Sequence, residues 1–385
     1  MLRRGRCFAI TAFVASFLAA PARAAVDSRL QLDVVEGYES NPLELHEGAE
    51  PAPYTQASFG ATLALQWSRR AGAFLRANGS GRSYASSASD ADRLWGDLEM
   101  GLAVSPYRRG DKRLSLAFGG RGALMRSTFI DPATGQVYIV TPDPNTAVAV
   151  PHRFDYNSAA AFLDLRWRVH QRVLLALDTE AGRRHYVQDY TRSTGLDPLD
   201  DRSLTVVPGV RLDLTDLVGL DFSFEWTDRR FDRLDSLDET GGPVQDARRR
   251  YRYTGGLAAL RLELSKRWTL RSGLRRTQRS DLFAGYYDST GTFAFASSEF
   301  SATRGLRFGL DLSQRDTRYA HATVDGDPNG ARRRGAGLRA AGRAEKDLGG
   351  HVTVLVEAGA DRADDRDPLY QYDRNWAQAG LRLKL

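Results

Sequence analysis

Six histidines, His46, His152, His170, His185, His321 and His351, are scattered through 385 residues. None belongs to an H-E-x-x-H pattern, which would set two imidazoles and a general base on one helix face. No G-x-S-x-G occurs either, so the elbow that raises a nucleophilic serine is missing. Gly335-Ala336-Gly337-Leu338-Arg339-Ala340 has the spacing of a dinucleotide fingerprint, but it follows the arginine run 332–334 and not a strand. It reads as small residues within a membrane strand. His185, beside Tyr186, has no serine at a useful spacing and reads as a loop histidine. Asp325-Gly326-Asp327-Pro328-Asn329-Gly330 opens like a calcium loop, with oxygen ligands at alternate positions. Ala336 stands where the closing bidentate glutamate belongs, so Asp325, Asp327 and Asn329 are a weak calcium candidate, and ordinary turn chemistry accounts for them better. With no catalytic constellation, the chain is expected to be neither an enzyme nor the holder of a cofactor or metal.

Charge that recurs at every second residue is the feature closest to function. Glu99, Arg121, Asp164, Arg166, Arg211, Glu225, Arg271, Arg307 and Arg339 all alternate with apolar neighbours, and Phe162 and Trp376 share their parity. Residues of one parity lie on one face of a strand. These eleven are the candidates for a water-filled lumen. That parity collects arginines and carboxylates in equal measure, so no strong ion selectivity is expected from net charge. Pairing between neighbouring strands would stabilise the wall of a wet pore. Arginine planes with Phe162 and Trp376 would also offer sugars a surface to slide along.

Two stretches display the alternation plainly. Leu94, Gly96, Leu98, Met100, Leu102 and Val104 interleave with Trp95, Asp97, Glu99, Gly101, Ala103 and Ser105. Ala159, Ala161, Leu163, Leu165, Trp167 and Val169 interleave with Ser158, Ala160, Phe162, Asp164, Arg166 and Arg168. Similar segments recur to the C-terminus and are read as strands. Their connections alternate between short ones, such as 69–71, 169–172 and 265–267, and long polar ones, such as 41–53, 128–153, 186–202 and 231–249. Short turns at one end and long loops at the other describe a transmembrane barrel. The fold expected is all-β, a single closed antiparallel barrel of about sixteen strands, with fourteen to eighteen as the range. Trp67, Trp167 and Trp268 lie beside short turns on the apolar parity, where a lipid-interface girdle forms.

Residues 1–24 account for export. Arg3, Arg4 and Arg6 precede an apolar run from Cys7 to Ala20 and the exit Ala22-Arg23-Ala24, the plan of a cleaved signal peptide. Residues 25–385 then form one barrel domain in the outer membrane of a Gram-negative-type bacterium. The chain carries 54 Lys+Arg against 48 Asp+Glu. Four of those arginines lie in the signal, so the mature chain is nearly balanced and nucleic acid is dropped as a partner. Cys7 is the one cysteine. A mature chain without disulfides needs another source of closure, and a barrel with every strand edge paired supplies it.

Two short segments resemble a known family. Leu32-Asp33-Val34-Val35-Glu36-Gly37-Tyr38-Glu39-Ser40-Asn41-Pro42, an early strand leaving through Tyr-Glu-Ser-Asn-Pro, resembles the start of the type 2 outer-membrane β-barrel porins and of barrels tied to polysaccharide exporters. The end, Trp376-Ala377-Gln378-Ala379-Gly380-Leu381-Arg382-Leu383-Lys384-Leu385, is similar to the terminal strand read by the barrel assembly machinery, with Leu385 in place of the usual Phe. The resemblance implies a conduit for exopolysaccharide export, with outer-membrane lipid, the assembly machinery and periplasmic polysaccharide-export proteins as partners. The alternative is a general diffusion porin for small hydrophilic solutes. In that case 128–153 is the one loop long enough to fold inward as a constriction.

Overall fold

A computed structural model describes residues 25–42, 44, 49–85, 91–110, 112–126, 155–187, 199–303, 305–324 and 330–385, with short backbone ladders at 130–131, 136–137, 139–143 and 146–149. The signal segment 1–24 and the calcium candidate Asp325, Asp327 and Asn329 lie outside the described residues.

Among the described residues, sixteen strands close one barrel. They are β1 (Ala25–Glu39), β2 (Ala52–Ser68), β3 (Ala71–Tyr84), β4 (Arg93–Arg109), β5 (Lys112–Arg126) and β6 (Tyr156–His170). Next come β7 (Val173–Tyr186), β8 (Asp201–Asp213), β9 (Val218–Leu237), β10 (Pro243–Ser265) and β11 (Trp268–Asp281). The set ends with β12 (Ser289–Thr303), β13 (Leu306–Thr323), β14 (Arg332–Gly349), β15 (Val352–Asp365) and β16 (Tyr372–Lys384). Each strand pairs antiparallel with the next. The seam joins β1 to β16 from Gln31↔Lys384 to Glu39↔Trp376. Reciprocal backbone bonds of 2.9 and 2.8 Å between Leu30 and Leu385 close its end. The loop between β5 and β6 holds two ladders of its own, 130–131 with 136–137 and 139–143 with 146–149.

At one end the turns are tight. Gly305, with φ of +81°, makes the β12–β13 reversal, a backbone state that a side chain would strain. At the other end the connections are longer, with one exception. The expected long loop 231–249 is mostly strand, because β9 and β10 run on past the rest of the wall and meet at a turn over 238–242. The Asp238 carboxylate accepts from the backbone N–H of Thr240 and Gly242 and so fixes that turn. Its charge-rich sequence reads as loop because the apolar parity stops. A ladder standing in water needs no apolar face, only paired backbone groups.

The two faces of the wall are told apart by convergence. Phe74 on β3 and Phe162 on β6 have ring centroids 6.3 Å apart. Three strand spacings, about 14 Å along the wall, separate their backbones. Side chains meet across that span only on the concave side, so their parity is the interior. The other parity carries Leu32, Val34, Phe222, Phe224, Leu310 and Leu312, all exposed on the outside. The barrel is therefore turned inside out relative to a water-soluble protein.

Candidate functional site: the interior wall

The candidate residues fall on the concave face and form a chain of ion pairs. Glu99, buried on β4, accepts from Arg76 of β3 at 3.0 Å and from Arg121 of β5. Arg121 reaches on to Glu180 of β7 at 2.7 Å, and its guanidinium lies 5.5 Å from the centre of the Phe162 ring. Arg166 pairs with Asp178 on the neighbouring strand. Asp164 stands directly opposite Asp178, so Arg166 and Arg121 offset two like charges. Further round, Arg211 meets Asp221 at 2.6 Å, Arg275 meets Glu225, and Arg307 meets Glu345 at 3.0 Å.

Arg271 and Arg339 differ from these. Among the described residues neither meets a carboxylate. Arg271 lies 5.6 Å from the Phe295 ring centre, and Arg339 lies 5.0 Å from that of Trp376. The Trp376 indole N–H donates to Glu357 at 3.2 Å. Trp67, Trp167 and Trp268 are exposed on the convex side, at strand ends beside tight turns. Trp268 packs edge-on against Phe300.

Two groupings lie at the long-loop end, and of the side chains described in them only Arg339 and Trp376 were among the sequence candidates. The first is a recess of about 330 Å³ between β1–β4 and β14–β16, where Trp95 and Trp376 line the same space as Arg339, Gln56 and Gln378. Its floor is ionic. Arg374 joins Glu39 at 3.4 Å, Asp361 at 2.9 Å and Glu44 of the β1–β2 loop. Burial pushes the Glu44 carboxyl above its usual range, against the pull of Arg374 and Arg93. The second grouping is a set of tyrosines around two buried arginines. Arg279 donates to the Tyr287 carbonyl at 2.9 Å and lies 5.2 to 5.4 Å from the ring centres of Tyr251, Tyr287 and Tyr319. Arg333 bonds Asp365 at 3.2 Å and sits 3.8 Å over Tyr370. Burial pushes the Tyr370 hydroxyl up to about 12. The available signal was parity: Arg271, Arg275 and Arg279 fall at intervals of four on one face of β11.

Chemically, the wall can hold water and hydrated solutes against fixed charges of both signs. No group of three metal-binding side chains occurs among the described residues. His185 bonds Asp200 at 2.8 Å.

No family model matches the chain, and no curated protein matches it. Among solved structures, an anion-selective porin from Comamonas acidovorans covers 94% of this chain and 100% of its own, at 9% identity and a TM-score of 0.49. OccAB1 from Acinetobacter baumannii covers 94% and 97%, at 8% identity and 0.49. A bacterial polysaccharide outer membrane secretin covers 92% and 98%, at 7% identity and 0.46. Likenesses this weak say nothing of what crosses this barrel. Its closed sheet rests on its own strand pairing.

Proposed function

We propose that the chain is an outer-membrane channel through which small hydrophilic solutes diffuse. The observation that carries this reading is the two-faced wall. Leucines, phenylalanines and tryptophans cover the outside, while paired charges line the inside. An exposed apolar surface of that extent belongs against lipid. Charges such as Arg121 and Arg166 belong against water, since each facing lipid at mid-membrane would cost about 2–4 kcal/mol. A sixteen-strand barrel leaves room for an aqueous passage. Because carboxylates and guanidiniums balance along the wall, ions of either sign should pass.

A second reading, exopolysaccharide export, is favoured by the recess with Trp95, Trp376 and Arg339, and by the Tyr38–Pro42 resemblance. Indole faces and guanidinium planes suit the alternating apolar and polar surfaces of a glycan. Deleting the gene separates the two. Slowed uptake of small solutes with unchanged surface polysaccharide supports diffusion. Loss of surface polysaccharide while its precursors accumulate supports export and overturns the diffusion reading.

A further inference from the structure

On the outer face the apolar parity ends at the long-loop side, and what replaces it differs around the circumference. From β7 to β11 the next outward positions are Arg183, Arg202, Asp228 with Arg230, Arg252 with Arg250, and Arg276. Across β1 to β4 and β6 the matching rim carries residues such as Glu36, Thr55, Ser83 and Asn157, with Arg126 of β5 bonded to Asn157.

The arginines are grouped unevenly with acids. Asp232 serves both Arg183 at 2.7 Å and Arg202 at 3.1 Å. Asp228 serves both Arg230 at 3.0 Å and Arg250 at 2.6 Å. Farther round, Asp316 serves both Arg318 at 3.0 Å and Arg334 at 3.1 Å. Each cluster sets two guanidiniums on one carboxylate and keeps a net positive charge with spare donors. Arg252 and Arg276 are exposed and meet no carboxylate among the described residues.

Their height is set by their neighbours. Trp226 precedes Asp228 on β9, Leu274 precedes Arg276 on β11, and Leu204 follows Arg202 on β8. The charge therefore begins where the hydrocarbon-facing band stops. Outward arginines at that level have one complementary surface, the anionic headgroups of the surrounding leaflet. A guanidinium fork matches a phosphate monoester through two parallel N–H donors. We propose that this arginine belt binds phosphomonoester-bearing lipid headgroups, which would fix one side of the barrel to its lipid annulus. The proposal rests on the reading of the chain as a membrane barrel, but not on what the lumen conducts.

The test uses the mature chain in nanodiscs of phosphatidylcholine doped with bisphosphorylated lipid A, or with the same lipid dephosphorylated. Bound lipid is counted by native mass spectrometry. The phosphorylated form should be enriched about ten-fold or more over its dephosphorylated counterpart. R252Q and R276Q, which break no ion pair, should each reduce that enrichment about five-fold. R69Q, in a tight turn at the opposite end, should leave it unchanged. Equal uptake of both lipids, or enrichment indifferent to R252Q and R276Q, overturns the belt. Bilayer conductance of the same preparation keeps the two ideas apart. A conducting barrel without phosphate preference sinks only the belt, whereas enrichment without conductance sinks only the channel.

Discussion

Arg374 is the residue on which most of the mouth depends. Its guanidinium is nearly buried and serves Glu39, Glu44 and Asp361, and the two glutamates are almost wholly buried. Removing one member of a buried ionic cluster strands its partners, at about 3 kcal/mol or more. Arg374→Met should therefore release the β1–β2 loop, read as faster proteolysis within 40–51. The effect has a defined pH sense. Burial raises the Glu44 carboxyl in the folded state, so the stability from its neutral form is complete below the ordinary glutamate value of about 4.3. That stability is lost as pH rises through the higher folded value. Loop release in Arg374→Met should accordingly be marked at about pH 7 and shrink as the pH falls toward about 4.3. Release that worsens with acid would contradict this electrostatic reading. None of it was visible in the sequence, because Glu39, Glu44, Asp361 and Arg374 come together only when β16 closes on β1.

At the scale of the strand, the alternation itself was legible. Leu98 and Leu163 take the outside, Glu99 and Asp164 the inside, and a slip of one residue would exchange them. Replacing Leu98 or Leu163 by Arg should impair assembly, since a charge facing lipid costs about 2–4 kcal/mol at the midplane. Asp164→Asn should leave assembly intact, with the heat-dependent shift in gel mobility as the measure. What resisted the sequence reading were strand ends. Past the apolar band the β9–β10 pairing continues only as Asp235↔Arg248, Ser236↔Val244 and Leu237↔Pro243, broken by two register shifts and with charged side chains on both faces, a pattern shared with ordinary loops. Shortening that hairpin by removing 234–247 and rejoining it with a tight turn should spare the barrel, because the wall strands beneath are paired on both sides. Loss of assembly would mean that the projection nucleates the β9–β10 pair. Tyr251, Tyr319 and Arg279 were hidden for a related reason: interior aromatics at a strand end share the parity of charges and escape a search for apolar faces.

For the molecule as a whole, closure and strand number followed from counting tight turns against long connections, since an antiparallel sheet with no free edge must return β16 to β1. The character of the passage depends on which charges remain after pairing. Arg271 and Arg339 meet no carboxylate among the described residues and Asp311 meets no base there, so unpaired charges of both signs face the passage. A planar-bilayer recording of refolded residues 25–385 under a salt gradient tests this most directly. The expected result is stable, ohmic steps with a reversal potential near zero, shifted toward cation preference when Arg271 and Arg339 are both changed to Gln. A correctly folded, heat-shifting barrel that inserts and passes no current would contradict the channel.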